Sequence, residues 1–466
     1  MPSISRPHLI ALIVASMFFM EQLDGTILAT ALPSIAHSLH VDTVSTSVAL
    51  TSYIIGLAIF IPASGALADR LGSRTVLTGA IIMFVACSVL CASSTSLIFL
   101  ACMLTLQGIG GALMVPVGRL VVLRGTARED LVRTMTWMML PATLGPLMGP
   151  VVGGFITTYL SWRWNFYLNI PVGLVGLLLT RRFIPNVRAP NPPPFDLRGM
   201  LLAGGGLAIL SIAAELFSHG EGGGMLVLGM LAGGSSLMGL YSLHAGRTEA
   251  PLLDFSLFRV PTFAISVVGG AASRVAVGSL PFLFPTFLQI GAGLNAAQSG
   301  AITFIAPLGA IAMRPFVPAT LARWGFRRVL MANGFSAAIL FALIAGFHKG
   351  QPLWTLSLIL FVAGMAQATQ FSAYNTIAYA DISRQRMSAA TSLYSTLQQL
   401  MLSVGICTAA GTLTLTLTHI LRQHATPTLH DFSIAFLVTG TISMLAVPAA
   451  ACLSPQAGAS MSGNKS

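Results

Sequence analysis

Two carboxylates, Glu21 and Asp24, interrupt the first long apolar run of the chain. Spaced i, i+3, they share one face of a helix. An ionisable side chain at the centre of a membrane helix costs about 2.5–3.5 kcal/mol on insertion scales and marks a functional position by default. Side by side in a poorly hydrated cavity, these two repel each other and lose hydration when charged. A carboxylate held there takes a proton from one side of a membrane and releases it to the other, which is the chemistry of proton coupling. The plainer alternative is that one of the pair is solvated near the outer surface or is paired structurally.

A cation, Arg274, lies inside a later apolar run. Arginine does not deprotonate, so it must find an anion or polar backbone. Three readings stand: it meets Asp24 or Glu21 across a cavity, it clamps an anionic substrate through its bidentate fork, or it pairs only within its own helix bundle. Gln107, Gln289, Gln367, Tyr374 and Asn375 are candidate hydrogen-bonders of a substrate cavity, and each alone also reads as helix–helix glue. Glu215 lies near the end of another apolar run, and Arg314, just before Pro315, is placed to snorkel to the membrane surface.

No other chemistry is encoded in the pattern. A GxxxxGK[ST] phosphate loop and an HExxH motif are both absent, so the sequence carries no site for ATP drive or a catalytic metal. The five cysteines, Cys87, Cys91, Cys102, Cys407 and Cys452, sit in apolar runs without a CxxC pair and read as small packing residues. We expect no enzyme activity, no cofactor and no metal.

The elements that position these residues follow from composition. Of 466 residues, 55% are hydrophobic and 8% are charged, against about 25% charged in a soluble protein. Mean hydropathy is +0.82. Too few charges remain to keep a globular surface in water, which excludes a soluble enzyme and a disordered chain. The apolar residues form runs longer than the ~18 that mark a membrane span. Lipid offers no hydrogen-bond partners, and the runs do not alternate as barrel strands do, so they are helices. Fourteen spans are expected: 8–32, 45–66, 75–94, 96–117, 134–157, 163–183, 198–217, 224–245, 262–290, 298–320, 327–347, 353–378, 388–418 and 431–453. Glu21 and Asp24 precede the cleavage-like Ala29-Thr30-Ala31, so the first run reads as an uncleaved span.

The net charge of +11 is an orientation signal. Nineteen of the 24 basic residues fall in the loops after even-numbered spans or at the two termini, for example Arg70, Arg74, Arg181, Arg182, Arg327 and Arg328. Arg163, Lys349 and Arg422 are the three on the opposite face. By the positive-inside rule both termini are cytoplasmic. The basic face suits anionic lipid heads and does not call for nucleic acid. Residues 184–198, with Pro190, Pro192, Pro193 and Pro194, read as a stiff cytoplasmic linker.

Span 2 ends in Gly65-Ala66-Leu67-Ala68-Asp69-Arg70-Leu71-Gly72-Ser73-Arg74, and span 5 carries Gly145-Pro146-Leu147-Met148-Gly149-Pro150-Val151-Val152-Gly153-Gly154. The glycines at every fourth position give span 5 a bare face for a close neighbour, and Pro150 is expected to bend it. The first stretch resembles the loop 2–3 signature of the major facilitator superfamily, and the second is similar to the signature of its antiporter branch. Leu23-Asp24-Gly25-Thr26-Ile27, Trp162-Arg163-Trp164, Asn169-Ile170-Pro171-Val172-Gly173 and Pro251-Leu252-Leu253 resemble stretches of the fourteen-span drug:proton antiporters.

The resemblance implies an all-α membrane protein of the major facilitator fold. Its parts would be a six-helix bundle over 8–183, the linker 184–198, an inserted two-helix hairpin over 199–245, a second six-helix bundle over 246–453, and a cytoplasmic tail over 454–466. It implies a cavity between the bundles and rocking of the two halves. It also implies a cytoplasmic gate at Gly65, Asp69, Arg70, Gly72 and Arg74, with an export motif at Gly145, Gly149, Pro150, Gly153 and Gly154. One departure stands out: the family's fourth span usually carries R-x-x-Q-G, and here Leu104 precedes Gln107-Gly108.

The expected function is therefore a proton-coupled exporter of small molecules, drugs or toxic compounds, in the inner membrane, working by alternating access. Its partners are substrate, protons and the bilayer, with a periplasmic adaptor and outer-membrane channel allowed for. The alternatives are an exporter of an anionic metabolite such as an organic acid, with Arg274 as the clamp, and a membrane sensor or scaffold that no longer transports.

Overall fold

The computed structural model describes residues 6–125, 131–189, 194–220, 223–248, 251–348, 351–383, 386–417 and 427–454. Arg128, the side chains of Arg124 and Arg133, residues 190–193 of the proline-rich linker, Lys349, Arg384, Arg422 and the tail from 455 onward lie outside the described residues. The described residues are mostly helical and contain no strand. In a bilayer only a helix satisfies its backbone within one segment, so the hydropathy pattern dictates this outcome directly.

The helices are α1 (Arg6–Leu39), α2 (Ser47–Leu71), α3 (Ser73–Ala92), α4 (Leu97–Gly125), α5 (Leu131–Tyr159), α6 (Trp164–Tyr167), α7 (Asn169–Phe183), α8 (Leu197–His219) and α9 (Gly223–Ala245). They continue with α10 (Pro261–Thr286), α11 (Ala296–Thr303), α12 (Ile305–Met313), α13 (Val317–Ala345), α14 (Leu353–Ile377), α15 (Met387–Leu415), α16 (Leu429–Met444) and α17 (Ala446–Ala451). Among the described residues, ten helical runs are long and apolar enough to cross a membrane.

Several segments differ in detail from the fourteen expected spans. The expected spans 298–320 and 327–347 form one run, Ala296–Ala345, which breaks at Gly325, where φ is +74°. The span expected at 163–183 is a single turn, α6, followed by the 15-residue α7. The long expected span 262–290 stays helical through Pro281 and Pro285 and then loosens into a π turn at Phe287–Gly291. A π turn widens the helix by one residue per turn and recurs at functional sites.

The chain divides into two compact units, residues 1–210 with 232–252, and residues 211–231 with 253–466. The α8–α9 hairpin contributes to both. In the first unit α1 lies along α5. A Cβ on Gly145 would stand 2.8 Å from Gln22 Cβ, one on Gly149 would overlap Thr26, and one on Gly153 would stand 2.7 Å from Thr30 Oγ1. The glycine face of span 5 is thus the seat of α1. Gly56 of α2 and Gly108 of α4 sit against each other's backbones with no room for a side chain. On the far side Arg163 ties three segments: it donates to Ser38 Oγ at 3.3 Å and to Ser94 O at 3.2 Å, with its guanidinium 4.3 Å over the Trp162 ring.

The second unit repeats the scheme. Gly278 of α10 and Gly405 of α15 exclude any side chain between those helices, as do Gly309 of α12 and Gly364 of α14. A cluster of rings, Phe284, Phe287, Phe347, Phe432 and Phe436, fills one end of the unit with centroids 5.4–6.5 Å apart. The repeat reaches the loops as well. Arg70-Leu71-Gly72-Ser73-Arg74 and Arg323-Trp324-Gly325-Phe326-Arg327 share the pattern R-x-G-x-R, and both glycines have positive φ, +94° and +74°. Position 322, an alanine, stands where the first copy has Asp69.

Candidate functional site

The two acids of α1 are buried, Glu21 at 7% and Asp24 at 5% exposure. Their burial follows from the packing of α1 in its unit. Gly145, Gly149 and Gly153 draw α5 against the Gln22–Thr26–Thr30 side of α1. The acid-bearing side is left to face α2, α3, α4 and α7.

Asp24 is held by neutral donors. Gln107 of α4 donates from Nε2 to Asp24 Oδ2 at 3.0 Å, and Asn169 at the start of α7 donates from Nδ2 to Oδ1. Both amides also donate to Ser88 Oγ of α3, at 2.8 Å and 3.1 Å. Cys91, one turn beyond Ser88, lies 3.8 Å from Gln107 Oε1. Gln107, Asn169 and Ser88 are buried. Both carboxylate oxygens therefore have a partner, with no ion pair to Asp24 among the described residues. A narrow cleft lined by Ile27, Leu28, Ala31, Trp162, Asn165 and Phe166 reaches Asp24 from one side.

Glu21, one turn earlier, is differently placed. No hydrogen bond or ion pair joins its side chain to a described residue. Its neighbour across the helices is Tyr53 of α2: a Cβ on Gly111 of α4 would stand 3.3 Å from both Glu21 Cγ and Tyr53 Oη. The Tyr53 hydroxyl is buried without a hydrogen-bond partner among the described residues. A fully partnered acid and an unpartnered one thus occupy adjacent turns of one helix. Such an arrangement can hold one negative charge in place and leave the second acid free to exchange a proton or meet a cation.

The residues expected to line a single cavity are divided between the two units. Gln107 belongs to the Asp24 cluster of the first unit. In the second unit Arg274 of α10 is 7% exposed and donates from Nη2 to Tyr394 Oη of α15 at 2.6 Å, with its guanidinium carbon 4.6 Å from that ring's centroid. The contact lies within Arg274's own unit, and its partner is a phenol rather than an acid. Tyr374 of α14 borders the same place: a Cβ on Gly270 would crowd Arg274 Nη1 and stand 3.6 Å from Tyr374 Cγ. Asn375, the next residue, donates to Phe371 O of its own helix at 2.7 Å. Gln367 lies two turns back on α14, and Gln289 lies in the π turn fifteen residues beyond Arg274. Arg314 is exposed in a 3-10 turn.

The loop between α2 and α3 is built on Gly72, whose φ of +94° no other residue type adopts readily. It is covered by the chain just after α7. Ser73 N donates to Val187 O at 3.1 Å, Ala189 N to Asp69 O at 3.0 Å, and Arg188 Nε to Leu71 O at 3.2 Å. Asn186 lies directly over Gly72 and bonds to Thr75. The linker therefore begins as a strap on this loop. Asp69 is half-buried, and Gly65, Arg70 and Arg74 are exposed.

Sequence reasoning missed Ser88, Tyr53 and Tyr394 as site residues. A lone serine or tyrosine in an apolar run carries no signal of its own. Asn169 was visible only as part of the stretch that resembles the entry to the family's sixth span.

An all-helical chain of repeated units, with a buried acid pair in its first helix, defines a multi-pass membrane carrier. The model of the Major Facilitator Superfamily matches residues 14–406, and the chain belongs to that family. It is 39% identical over 401 residues to the "Putative multidrug resistance protein MdtD" of Salmonella heidelberg (strain SL476), covering 86% of this chain and 85% of that protein. It is equally similar, over 402 residues, to the protein of the same name from Escherichia coli (strain SMS-3-5 / SECEC). Among solved structures, a peptide transporter POT in complex with sulfate superposes with a TM-score of 0.70 at 15% identity, covering 97% of this chain and 95% of that one. The nucleoside transporter NupG does so with a TM-score of 0.61 at 15% identity, covering 95% and 98%. These two likenesses show the fold alone.

Proposed function

We propose that the chain is a proton-coupled exporter of small toxic compounds that works by alternating access. The observation that carries this reading is the buried acid pair of α1, with Asp24 gripped by Gln107 and Asn169 and Glu21 left without a hydrogen-bond partner among the described residues. Family membership and the printed names of the 39% identical relatives support export of drugs. Glu21 and Asp24 are the proton-coupling residues. Arg274 and Tyr374 belong to the substrate path, and Gln289, Gln367 and Asn375 are secondary contacts along it. The loop of Gly65, Asp69, Arg70, Gly72 and Arg74 acts as the cytoplasmic gate, and the glycines of α5 set the pivot of α1. The two six-helix bundles, joined through the linker and the α8–α9 hairpin, rock against each other.

The protein needs no cofactor and catalyses no covalent step; the proton gradient is its energy source. We place the protein in the inner membrane, and the excess of basic residues on one set of loops supports both termini in the cytoplasm. A periplasmic adaptor and outer-membrane channel would extend export beyond that membrane.

The test uses everted membrane vesicles and a lipophilic cationic dye such as ethidium. Dye accumulation should follow an imposed pH gradient and collapse when a proton ionophore is added. Accumulation that ignores the gradient would end the proton-coupling claim.

A further inference from the structure

Among the described residues of its unit, Arg274 is a buried cation without a counter-ion. The residue is 7% exposed, and its Nε has no hydrogen-bond partner among the described residues. The four described acids of its unit are engaged elsewhere. Glu215 accepts from Cys407 Sγ at 3.1 Å and lies 3.6 Å from His219 Nδ1. Asp254 pairs with Arg386 at 2.8 Å, Asp381 accepts from Thr262 at 2.9 Å, and Asp431 accepts from Thr428 at 2.7 Å. What Arg274 does have is one bond to a neutral phenol and a ring face. A guanidinium carries five donors in a planar fork, and an unpaired buried charge is strongly destabilising. Nη1 lies against Gly270, where a Cβ would crowd it, and Nε and Nη1 make no hydrogen bond to a described residue.

We infer that Arg274, flanked by Gly270, Tyr374 and Tyr394, is a binding site for the carboxylate of a small apolar cargo molecule. The inference rests on the exporter reading above and narrows its substrate class to compounds that carry a carboxylate on an apolar, aromatic body. Two coplanar carboxylate oxygens match the fork in its bidentate geometry. The Tyr374 and Tyr394 rings supply apolar walls. A lipid phosphate is the other source of an anion, and depth argues against it. Arg274 is thirteen residues from the start of α10 at Pro261. At about 1.5 Å per residue this places it roughly 20 Å along the helix, beyond the middle of a ~30 Å hydrocarbon core. A headgroup does not reach that level.

The experiment compares 2-naphthoate with its neutral isostere 2-naphthamide, binding to the purified full-length protein in phosphatidylcholine nanodiscs, read by ligand fluorescence. The wild type should prefer the carboxylate by about tenfold or more, and Arg274→Gln should erase the preference. Tyr394→Phe removes the bond that competes for Nη2, so it should keep or raise the preference. Gly270→Ala keeps the charge but crowds Nη1, and it should cut the preference several-fold; this variant decides the matter if Arg274→Gln does not fold. Equal binding of the two ligands to the wild type, or a preference that survives Arg274→Gln, overturns the site. Replacing part of the lipid with phosphatidylglycerol should leave naphthoate binding unchanged; displacement by that lipid would make a headgroup the occupant and overturn the cargo assignment. Ethidium counterflow by the same preparation tests the exporter reading separately. Counterflow without a naphthoate preference removes the carboxylate site alone. A naphthoate preference without counterflow removes the exporter reading and leaves the site standing as a binding site.

Discussion

At the scale of single residues, Asp24 and Glu21 are chemically alike and structurally opposite. Asp24 has both oxygens satisfied by amides, whereas Glu21 faces the unpartnered Tyr53 hydroxyl. This contrast assigns different consequences to their removal. Glu21→Gln, which removes the acid left free to exchange a proton, should lower gradient-driven dye accumulation by about 100-fold or more, the scale for loss of an essential proton-transferring group. Counterflow of the same dye, which needs no net proton movement, should persist. Asn169→Ala leaves one oxygen of a buried carboxylate without its donor, and the cost should be about 1–3 kcal/mol in a denaturant or thermal melt of the purified protein. The position of Leu104 fits the same picture. Its side chain is fully buried, and the grip on Asp24 comes from Gln107, three residues on, without the cation that the family's usual pattern would supply at that position. Gln107 was legible in the sequence as a polar residue in a span, but its partner was not, because the pair is 83 residues apart and meets only when α1 and α4 pack.

At the scale of helices, close approach is set by glycines placed where two backbones cross. The α1–α5 contact in the first unit and the α10–α15 contact in the second use the same device, as do α2–α4 and α12–α14. The glycine spacing of span 5 was plain in the sequence, and the structure supplies its partner, the Gln22–Thr26–Thr30 side of α1. Gly149→Ala forces a methyl onto Thr26 and should destabilise by about 1–3 kcal/mol as overpacking does, seen as a lower melting temperature. Because α1 carries both acids, the same variant should also slow transport, which the vesicle assay would register. In the α2–α3 loop, Gly72→Ala meets two obstacles: a backbone region that non-glycine residues occupy at a cost of about 1–3 kcal/mol, and the Asn186 side chain. Pairing it with Asn186→Gly should restore only part of the lost stability, since the backbone strain remains. Full restoration would mean that contact with the strap, and not backbone strain, dominates.

At the scale of the whole molecule, charges outside the membrane organise the loops. In the second unit Asp254 caps the turn Phe255–Arg259 and meets Arg386 at 2.8 Å. Partial burial pushes its carboxyl up, but hydrogen bonds from Ser256 and Arg386, with the guanidinium's charge, outweigh that and hold it below the usual range. A carboxyl held low contributes stability above its unfolded pKa of about 3.9 and loses that contribution as the pH falls through the folded value. Arg386→Ala should therefore flatten the acid side of the stability profile below about pH 4. At neutral pH it should cost no more than about 1 kcal/mol, because the pair is partly exposed and screened. A melting series from pH 3 to pH 7 on both proteins would show whether the curves converge at the acid end, as this sign requires. The orientation drawn from the basic loops is checked by fusing a reporter that fluoresces only in the cytoplasm to each terminus; both fusions should fluoresce.

The amino-acid sequence by itself determined that the chain is helical and crosses a membrane, and where most of its helices run. Those properties are local: lipid obliges each apolar run to satisfy its own backbone hydrogen bonds, and loop charge is counted segment by segment. The two acids of α1 stood out for the same reason, as the costliest residues in their run. Only the tertiary structure decided that Asn169, 145 residues from Asp24, and Ser88 complete its cluster, that Glu21 is left facing Tyr53, and that Arg274 rests on a tyrosine with every described acid of its unit engaged elsewhere. Side chains so far apart in the chain acquire a shared environment only through helix packing, and no period or spacing in the sequence records which faces of which helices meet.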